Sequence, residues 1–141
     1  MTYLIKRADT SKPDTVRLLT RLHKICFPGD SKPPFSKGYW WIMWNKDEPI
    51  GFCGLLPSAQ WLETGYFSRA GVIPAYRGKH LQRRLIRIRI NQAKRLGWIA
   101  LTTDTRDNPS SGNNLFACGF HMYSPRKPWG YSNTVYWRKR L

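Results

Sequence analysis

The sequence predicts a single α/β domain over residues 1–141, in which a mixed β-sheet is flanked by helices. Aromatic and β-branched runs of strand length alternate with segments that carry helical periodicity. A turn at residues 45–49 separates two of the strands and requires them to pair antiparallel. A strand–helix–strand segment centred on residues 81–96 requires a parallel pair, because such crossovers join parallel strands.

The N-terminal segment predicts a strand followed by a helix. Residues 3–7 form a short strand, and the helix begins near Ser11, whose hydroxyl is suited to cap it. Pro13 is tolerated in the first helical turn, and Asp14 favours the positive end of the helix dipole. Apolar residues then recur at helical spacing: Val16, Leu19, Leu22, Ile25 and Cys26. The helix should end near residues 27–29.

Three strands follow in the middle of the chain. Residues 38–44 are mostly aromatic and apolar, as in a buried strand. Residues 50–56 form the partner strand, in which Gly51 and Gly54 mark bulges. The fourth strand spans residues 64–73.

The second half of the chain predicts two helices and three strands. A helix over residues 81–96 presents one apolar stripe, with Arg89 intruding on its apolar half, and Gly97 ends it as a C-cap. A fifth strand spans residues 98–103. The remaining elements are a short helix over residues 107–118 and strands over residues 120–123 and 132–139. The sheet therefore has six to seven strands, most of them antiparallel.

Composition narrows the class of protein. Seven Trp, seven Tyr and six Phe give a chain of 141 residues ample apolar surface for one core. No apolar run is long enough to span a membrane, and the N-terminal residues lack the apolar stretch of a signal peptide. We therefore expect a cytoplasmic protein that does not engage membranes.

The cysteines predict neither a disulfide framework nor a metal site. Cys26, Cys53 and Cys118 are odd in number and widely spaced, and no histidine stands at metal-ligand spacing from them. We expect them to be small buried apolar residues and expect no bound metal.

The charge of the chain is strongly positive. It has 24 Lys and Arg against 8 Asp and Glu, a formal net charge of +16. Between Gly65 and Thr103 there is no acidic residue, and a second basic cluster lies at residues 138–140. Such a field attracts phosphates, nucleic acid or an acidic protein surface, so we expect a polyanionic partner. The alternative is that these charges form a solvated helix face.

Residues 72–85 form a strand, a basic turn and a helix start. Arg77, Gly78 and Lys79 occupy the turn, and the helix begins at about Leu81. The free N–H groups and the dipole of a helix N-terminus attract anions. This segment is therefore a candidate pyrophosphate site.

The segment resembles the acyl-CoA-binding motif of the GNAT superfamily of N-acyltransferases. Arg77 takes the first motif position, while His80 and Gln82 stand where the family usually has glycine. A second resemblance is the family's pattern after the fifth strand, which is met here by four residues: Asn108, Ser111, Gly119 and Phe120. The resemblance covers nearly the whole chain and implies a sheet in which strands 4 and 5 splay apart as a V.

The resemblance also implies which residues bind acetyl-CoA as co-substrate. Backbone groups of the fourth strand would bind pantetheine: Ala70, Gly71 and Val72. The turn and helix start would surround the pyrophosphate: Arg77, Gly78, Lys79, His80, Leu81, Gln82 and Arg83. The side chain of Asn108, with Ser111, would contact the pantetheine or phosphate arm.

Acetyl transfer to an amine needs a base, because the amine must lose a proton before it attacks. The scarce carboxylates leave two candidates near the fourth and fifth strands, Asp104 and Glu63. Asp104 lies near the place where several family members have a catalytic carboxylate, although a turn or capping role suits it equally. For Glu63 a solvated loop position is favoured. The N–H of Val72 is the candidate oxyanion donor.

The family's usual proton donor to the departing thiolate is a tyrosine seven residues after the asparagine. Leu115 occupies that position here, beside Phe116. Either another tyrosine serves, Tyr66, Tyr123 or Tyr131, or the thiolate takes its proton from water.

Two functions follow as hypotheses. The resemblance implies an acetyl-CoA-dependent N-acetyltransferase that acts on a primary amine by direct attack in a ternary complex. The alternative is a basic module on the same scaffold that binds nucleic acid or a host protein without acetyltransferase activity. Five aromatic residues are candidates for an acceptor groove, although most are expected in the core: Trp40, Trp41, Trp44, Trp129 and Tyr131.

Overall fold

The computed structural model describes residues 2–141. Within them the chain forms three α-helices: α1 (Pro13–Cys26), α2 (Leu81–Arg95) and α3 (Pro109–Ala117). It forms seven strands: β1 (Leu4–Ala8), β2 (Tyr39–Asn45), β3 (Glu48–Pro57), β4 (Thr64–Val72), β5 (Ala100–Arg106), β6 (His121–Tyr123) and β7 (Thr134–Arg140). A 3₁₀ turn, Pro74–Tyr76, separates β4 from α2.

The strands form one mixed sheet in the order β1-β2-β3-β4-β5-β7-β6. Every neighbouring pair is antiparallel except β4 and β5, which are parallel. The pairing of β4 with β5 is short. It extends from Thr64, opposite Ala100, to Tyr66, opposite Thr102. Beyond this point β4 runs on to Val72 and β5 to Arg106 without pairing to each other. The mixed sheet and the V-shaped splay predicted from the sequence are confirmed.

Two apolar cores lie on opposite faces of the sheet. Successive side chains of a strand point to opposite faces, and β2 shows this clearly. Trp40 and Ile42 pack with α1, whereas Trp41 and Met43 pack with α2. Arg89 is buried in the α2 layer, as its place in the apolar stripe suggested.

Both predicted bulges are present beside their glycines. The β2–β3 register shifts opposite Gly51, and the β3–β4 register shifts at Gly54, which lies opposite two residues of β4, Ser68 and Arg69. A Cβ on Gly54 would lie 2.4 Å from the Trp40 ring. Glycine is required there because the indole packs directly on the backbone.

Four details of the predicted organisation are wrong. Ser11 does not cap α1, because its hydroxyl donates to Asp9 Oδ1 at 2.6 Å and Lys12 is the N-cap residue. The turn between β2 and β3 is shorter than predicted and contains Lys46 at φ 54°. The fifth strand begins later and runs to Arg106, so Asp104 lies within it rather than after it.

The fourth correction concerns the cysteines. Cys53 is fully buried, and burial raises the pKa of its thiol to about 11. Cys26 and Cys118 are only partly buried.

No helix in residues 2–141 has both the length and the apolar character needed to cross a membrane.

His23 is an uncompensated polar residue in the α1 core. Its side chain is 2% exposed, and its Nε2 has no hydrogen-bond partner in the part of the chain that the structure describes. The ring stacks on Phe27, with 5.2 Å between centroids. Burial lowers the pKa of His23 below its ordinary value of 6.5, and the Arg69 charge lowers it further.

We expect His23 to make the fold acid-sensitive. Its pKa is lower in the folded than in the unfolded chain, so the unfolded state binds more protons as the pH falls below about 6.5. Stability is therefore fully present above that pH and is lost as the pH falls towards the folded pKa. His23→Phe, which keeps a stacking ring, should reduce this loss. The test is to measure the free energy of unfolding in urea from pH 7.5 to 4.5. An equal dependence of this free energy on pH in both proteins would refute the prediction.

Candidate active site

The opening between β4 and β5 has backbone donors on its β4 side. Ile73 N donates to Ile50 O at 2.9 Å, which makes Val72 a non-hydrogen-bonded position of the antiparallel β3–β4 ladder. The Val72 N–H therefore points away from β3 and into the opening. Alternation along the ladder gives the Ala70 N–H the same direction. Two of the three residues predicted to bind pantetheine through backbone groups, Ala70 and Val72, thus present their N–H groups to the opening.

Gly71 lies between these two residues and has a packing role. A Cβ at this position would lie 2.7 Å from the Cβ and Sγ of Cys26. Glycine therefore lets the end of α1 approach β4 closely. Its contact with CoA stays a prediction.

Buried polar groups stabilise the structure at the point where β4 and β5 separate. Thr103 Oγ1 donates to Phe67 O at 3.1 Å, directly after the last paired residues. The Arg89 guanidinium carbon lies 3.8 Å from the centroid of the Phe67 ring. Arg89 Nε donates to Leu85 O at 3.0 Å and Nη1 to Gly54 O at 3.4 Å, at the β4 bulge. Burial lowers the pKa of Arg89 below its ordinary value.

The turn before α2 contains two residues with positive φ, a conformation that favours glycine, the usual residue of the motif that this segment resembles. Gly78 has φ 81° and His80, the N-cap residue of α2, has φ 57°. His80 therefore adopts a left-handed conformation that favours glycine. The N–H groups of Gly78, Lys79 and His80 donate to no backbone carbonyl among residues 2–141, whereas the Arg83 N–H already donates to His80 O at 3.1 Å. Leu81 is buried and Gln82 is partly exposed.

Arg77 and Asn108 also make contacts within the protein. Arg77 Nε donates to Val72 O at 2.8 Å, which directs its side chain back over the end of β4. Asn108 is the N-cap residue of α3, where its Oδ1 accepts from Ser111 N at 3.1 Å. These contacts order both segments, and their contacts with CoA stay predictions. Leu115 is buried at 5% exposure and can donate no proton.

Asp104 and Tyr66, both predicted to be catalytic, are in direct contact. The Tyr66 hydroxyl donates to Asp104 Oδ2 at 2.7 Å, and Trp129 Nε1 donates to the same oxygen at 2.8 Å. Tyr66 is the last β4 residue paired with β5, so the contact lies beside the opening. Asp104 Oδ1 accepts no hydrogen bond from any residue in 2–141. The carboxylate is therefore oriented by two donors and keeps one oxygen for a ligand.

Tyr66 stays protonated over the ordinary pH range. Burial raises the pKa of its hydroxyl, and the charge and hydrogen bond of Asp104 raise it further. A phenol and a carboxyl group joined by a hydrogen bond can pass a proton between them. Glu63, the other candidate base, is an exposed loop residue at φ 53°.

An aromatic cluster surrounds the Asp104 carboxylate. Trp129 contacts Tyr136 and Trp61, with 4.6 Å and 6.1 Å between ring centroids. Tyr123 contacts Trp61 and Tyr136 at 6.4 Å and 6.3 Å. Sequence reasoning missed Trp61 and Tyr136. For Tyr136 the available signal was strand alternation, since it lies directly opposite Asp104 and Tyr123.

The other candidate aromatic residues have different surroundings. Trp40 and Trp41 are in the core, as expected for most of this set, and Trp44 packs at its edge. Tyr131 is 72% exposed and lies under the Arg106 guanidinium. No group of three His, Cys, Asp or Glu residues in 2–141 is placed to hold a metal ion.

A sheet that opens between one parallel pair, with an anion-suited helix start after the fourth strand, is the architecture of the CoA-dependent N-acetyltransferases. The family model described as Acetyltransferase (GNAT) family matches residues 7–120. The chain belongs to this family.

Solved structures share this fold over the full chain. An IAA acetyltransferase from Bacillus cereus superposes with a TM-score of 0.78 at 18% identity, covering 99% of this chain and 100% of that one. A Bacillus subtilis acetyltransferase in complex with CoA gives 0.76 at 18% identity, covering 99% of both chains. The ribosomal-protein-S18-alanine N-acetyltransferase of Escherichia coli gives 0.75 at 11% identity, covering 99% and 94%. At such identities the likeness shows the fold. No curated protein sequence matches this chain significantly.

We expect His80→Gly to stabilise the protein by about 1 kcal/mol, because glycine removes the steric cost of the left-handed conformation. Lys79→Gly is the matched control, since residue 79 has no positive φ and glycine there should cost about 0.5 kcal/mol. Urea unfolding measures both changes. Destabilisation by His80→Gly would show that the imidazole makes a compensating contact.

Proposed function

We propose that the protein is an acetyl-CoA-dependent N-acetyltransferase that acts on a primary amine by direct attack in a ternary complex. The observation that carries this proposal is the 2.7 Å contact between Tyr66 and Asp104 beside the opening between β4 and β5. It joins a candidate base and a candidate proton donor beside the strand whose Ala70 and Val72 N–H groups face the opening. A cytoplasmic location stays a prediction.

The co-substrate would lie between the two splayed strands. The N–H of Val72 would bind the pantetheine arm, that of Ala70 would face the thioester, and those of Gly78, Lys79 and His80 would bind the pyrophosphate. The CoA complex of the Bacillus subtilis acetyltransferase, which has this fold, supports the assignment. Asn108 and Ser111 at the start of α3 lie after β5, the other strand of the splayed pair.

Asp104 would act as the base through its free Oδ1. It takes one proton from the ammonium form of the acceptor, and the neutral nitrogen forms a bond to the thioester carbonyl carbon. The Ala70 N–H, which is the β4 donor nearer to Tyr66, stabilises the oxyanion in place of the predicted Val72, which lies six residues along the strand from Tyr66. The carbon–sulfur bond then breaks, Tyr66 gives its proton to the thiolate and regains one from Asp104. Of the two protons that nitrogen loses, one ends on sulfur and the other in solvent.

Acetyl-CoA should raise the melting temperature of the protein, because it binds the native state. At a hundredfold excess over Kd the stabilisation is about 2.7 kcal/mol, or roughly 10 °C. Gly78→Asp should abolish this shift, because its carboxylate repels the phosphates. A thermal shift assay at millimolar acetyl-CoA measures it.

Gly97→Asp is the matched control for this variant. Gly78 and Gly97 have φ of 81° and 77°, flank opposite ends of α2, and have no atom within 4 Å of an added Cβ. Both substitutions therefore impose the same backbone strain, yet only Gly78→Asp should remove the shift. The absence of any shift in the wild type would favour the alternative, a basic binding module without acetyltransferase activity.

Asp104→Asn should lower kcat by roughly 10²–10⁴-fold, because the amide still accepts the Tyr66 hydrogen bond but cannot take a proton. The acetyl-CoA thermal shift should be unchanged. Glu63→Gln, at the exposed loop carboxylate, is the control and should leave kcat intact. Release of the CoA thiol with a panel of primary amines measures both. An active Asp104→Asn variant would exclude Asp104 as the base.

A further inference from the structure

The outer part of the sheet carries arginine side chains on the same face as Asp104. In the β5–β7 register, Asp104 lies opposite Tyr136 and Thr102 lies opposite Arg138, so these residues share one face. Arg106 follows Asp104 by two residues and lies on that face too. Helix α1 packs on this face over β3 and β4, and aromatic side chains cover the outer strands, where Thr102 and Tyr136 are buried. We define the arginine–aromatic face by six residues: Trp61, Arg106, Tyr123, Trp129, Tyr131 and Arg138.

Two guanidinium groups of this face are held in place by stacking on rings, and the charge of Arg106 also helps to lower the pKa of Asp30. The Arg138 guanidinium carbon lies 4.7 Å from the Tyr123 ring centroid, and that of Arg106 lies 4.4 Å from the Tyr131 centroid. Neither side chain forms an ion pair or hydrogen bond with another residue in 2–141. Stacking orders a guanidinium while its N–H edge stays free to bind an anion.

The rings of this face are unusually exposed for large apolar groups. Trp61 is 43% and Tyr131 72% exposed, and Leu62 beside Trp61 is 91% exposed. The loop that carries Trp129 also carries Arg126 and Lys127, both of them exposed. Exposed rings interleaved with free cations are the combination that binds single-stranded nucleic acid, with bases on the rings and phosphates on the cations.

We propose that the arginine–aromatic face binds a single-stranded nucleic acid, and that this nucleic acid carries the acceptor amine to Asp104. The second part rests on the proposed acetyltransferase function. The excess of 24 basic over 8 acidic residues suits a polyanion better than a small amine. An acidic protein would use the arginines but leave Trp61 and Tyr131 uncovered. A duplex would keep its bases stacked away from the rings.

Fluorescence anisotropy with labelled twelve-nucleotide RNA and DNA single strands tests the binding at 50–300 mM salt. Arg106→Gln/Arg138→Gln should weaken binding by at least about tenfold, since it removes two charge-assisted contacts. It should also reduce the slope of log K against log salt by roughly 1.4. Trp61→Ala should weaken binding roughly 5- to 150-fold through lost stacking.

Arg87→Gln/Lys94→Gln is the matched control. It removes the same two charges from exposed positions of α2, which packs on the opposite face of the sheet. This variant should retain near wild-type affinity. Equal losses in the two double variants would overturn the proposal, because they would show that only the overall charge matters. Wild-type binding by Arg106→Gln/Arg138→Gln would also overturn it.

Additional binding measurements distinguish a single-stranded nucleic acid from other polyanionic partners. Preference for RNA or DNA identifies which single strand is bound, and either preference supports the proposal. Tighter binding of a duplex, or of polyglutamate with the same dependence on Arg106 and Arg138, would overturn it in favour of that partner. The acetyl-CoA thermal shift is measured on the same samples. A retained shift without oligonucleotide binding defeats this inference alone, whereas binding without a shift defeats the proposed function.

A kinetic experiment tests whether the two sites coincide. A single strand without an alkyl amine should raise the KM for a small amine acceptor and leave kcat unchanged, because it covers the entrance to Asp104. The inhibition should disappear in Arg106→Gln/Arg138→Gln. Inhibition that lowers kcat at unchanged KM would contradict delivery of the amine by the bound strand.

Discussion

The hydrogen bond from Thr103 to the Phe67 carbonyl is the interaction on which the site depends. It lies directly after the last paired residues of β4 and β5, so it holds the two strands together at the point where they diverge. Arg89 supports the same point from α2, through the Phe67 ring and the Gly54 carbonyl. Buried groups thus fix the end of the opening that lies nearest Tyr66 and Asp104.

Two sides of the sheet contribute different chemistry to this opening. The turn before α2 offers backbone N–H groups suited to phosphates. The opposite face offers one carboxylate, held by Tyr66 and Trp129, with rings around it. The candidate base and the backbone groups proposed to bind the pyrophosphate therefore lie apart. The absence of acidic residues over residues 65–103 keeps negative charge away from the turn before α2, in addition to raising the net charge of the chain.

Most elements of this fold could be predicted from the sequence, because periodicity and turn residues are local signals, whereas the CoA-binding residues stay predictions. The contact between Tyr66 and Asp104 was not predictable in the same way. These residues are far apart in sequence and meet only through the short parallel register of β4 and β5. The strand end near residue 103 was placed too early, which left Asp104 open to a turn interpretation. His80 shows the reverse case, in which a residue other than glycine adopts the left-handed conformation at a position where the motif usually has glycine.

The contact between Arg69 and Asp30 has a consequence for the loop between α1 and β2. Arg69 Nη1 donates to Asp30 Oδ2 at 2.7 Å, and the guanidinium also lies over the Phe27 ring. Both charged side chains are substantially exposed, so dissolved ions weaken their attraction. Phe35, at the far end of the loop, is buried and independent of salt. Rising ionic strength should therefore weaken the attachment of the Asp30 part of this loop to β4, whereas the part that contains Phe35 stays packed in the core.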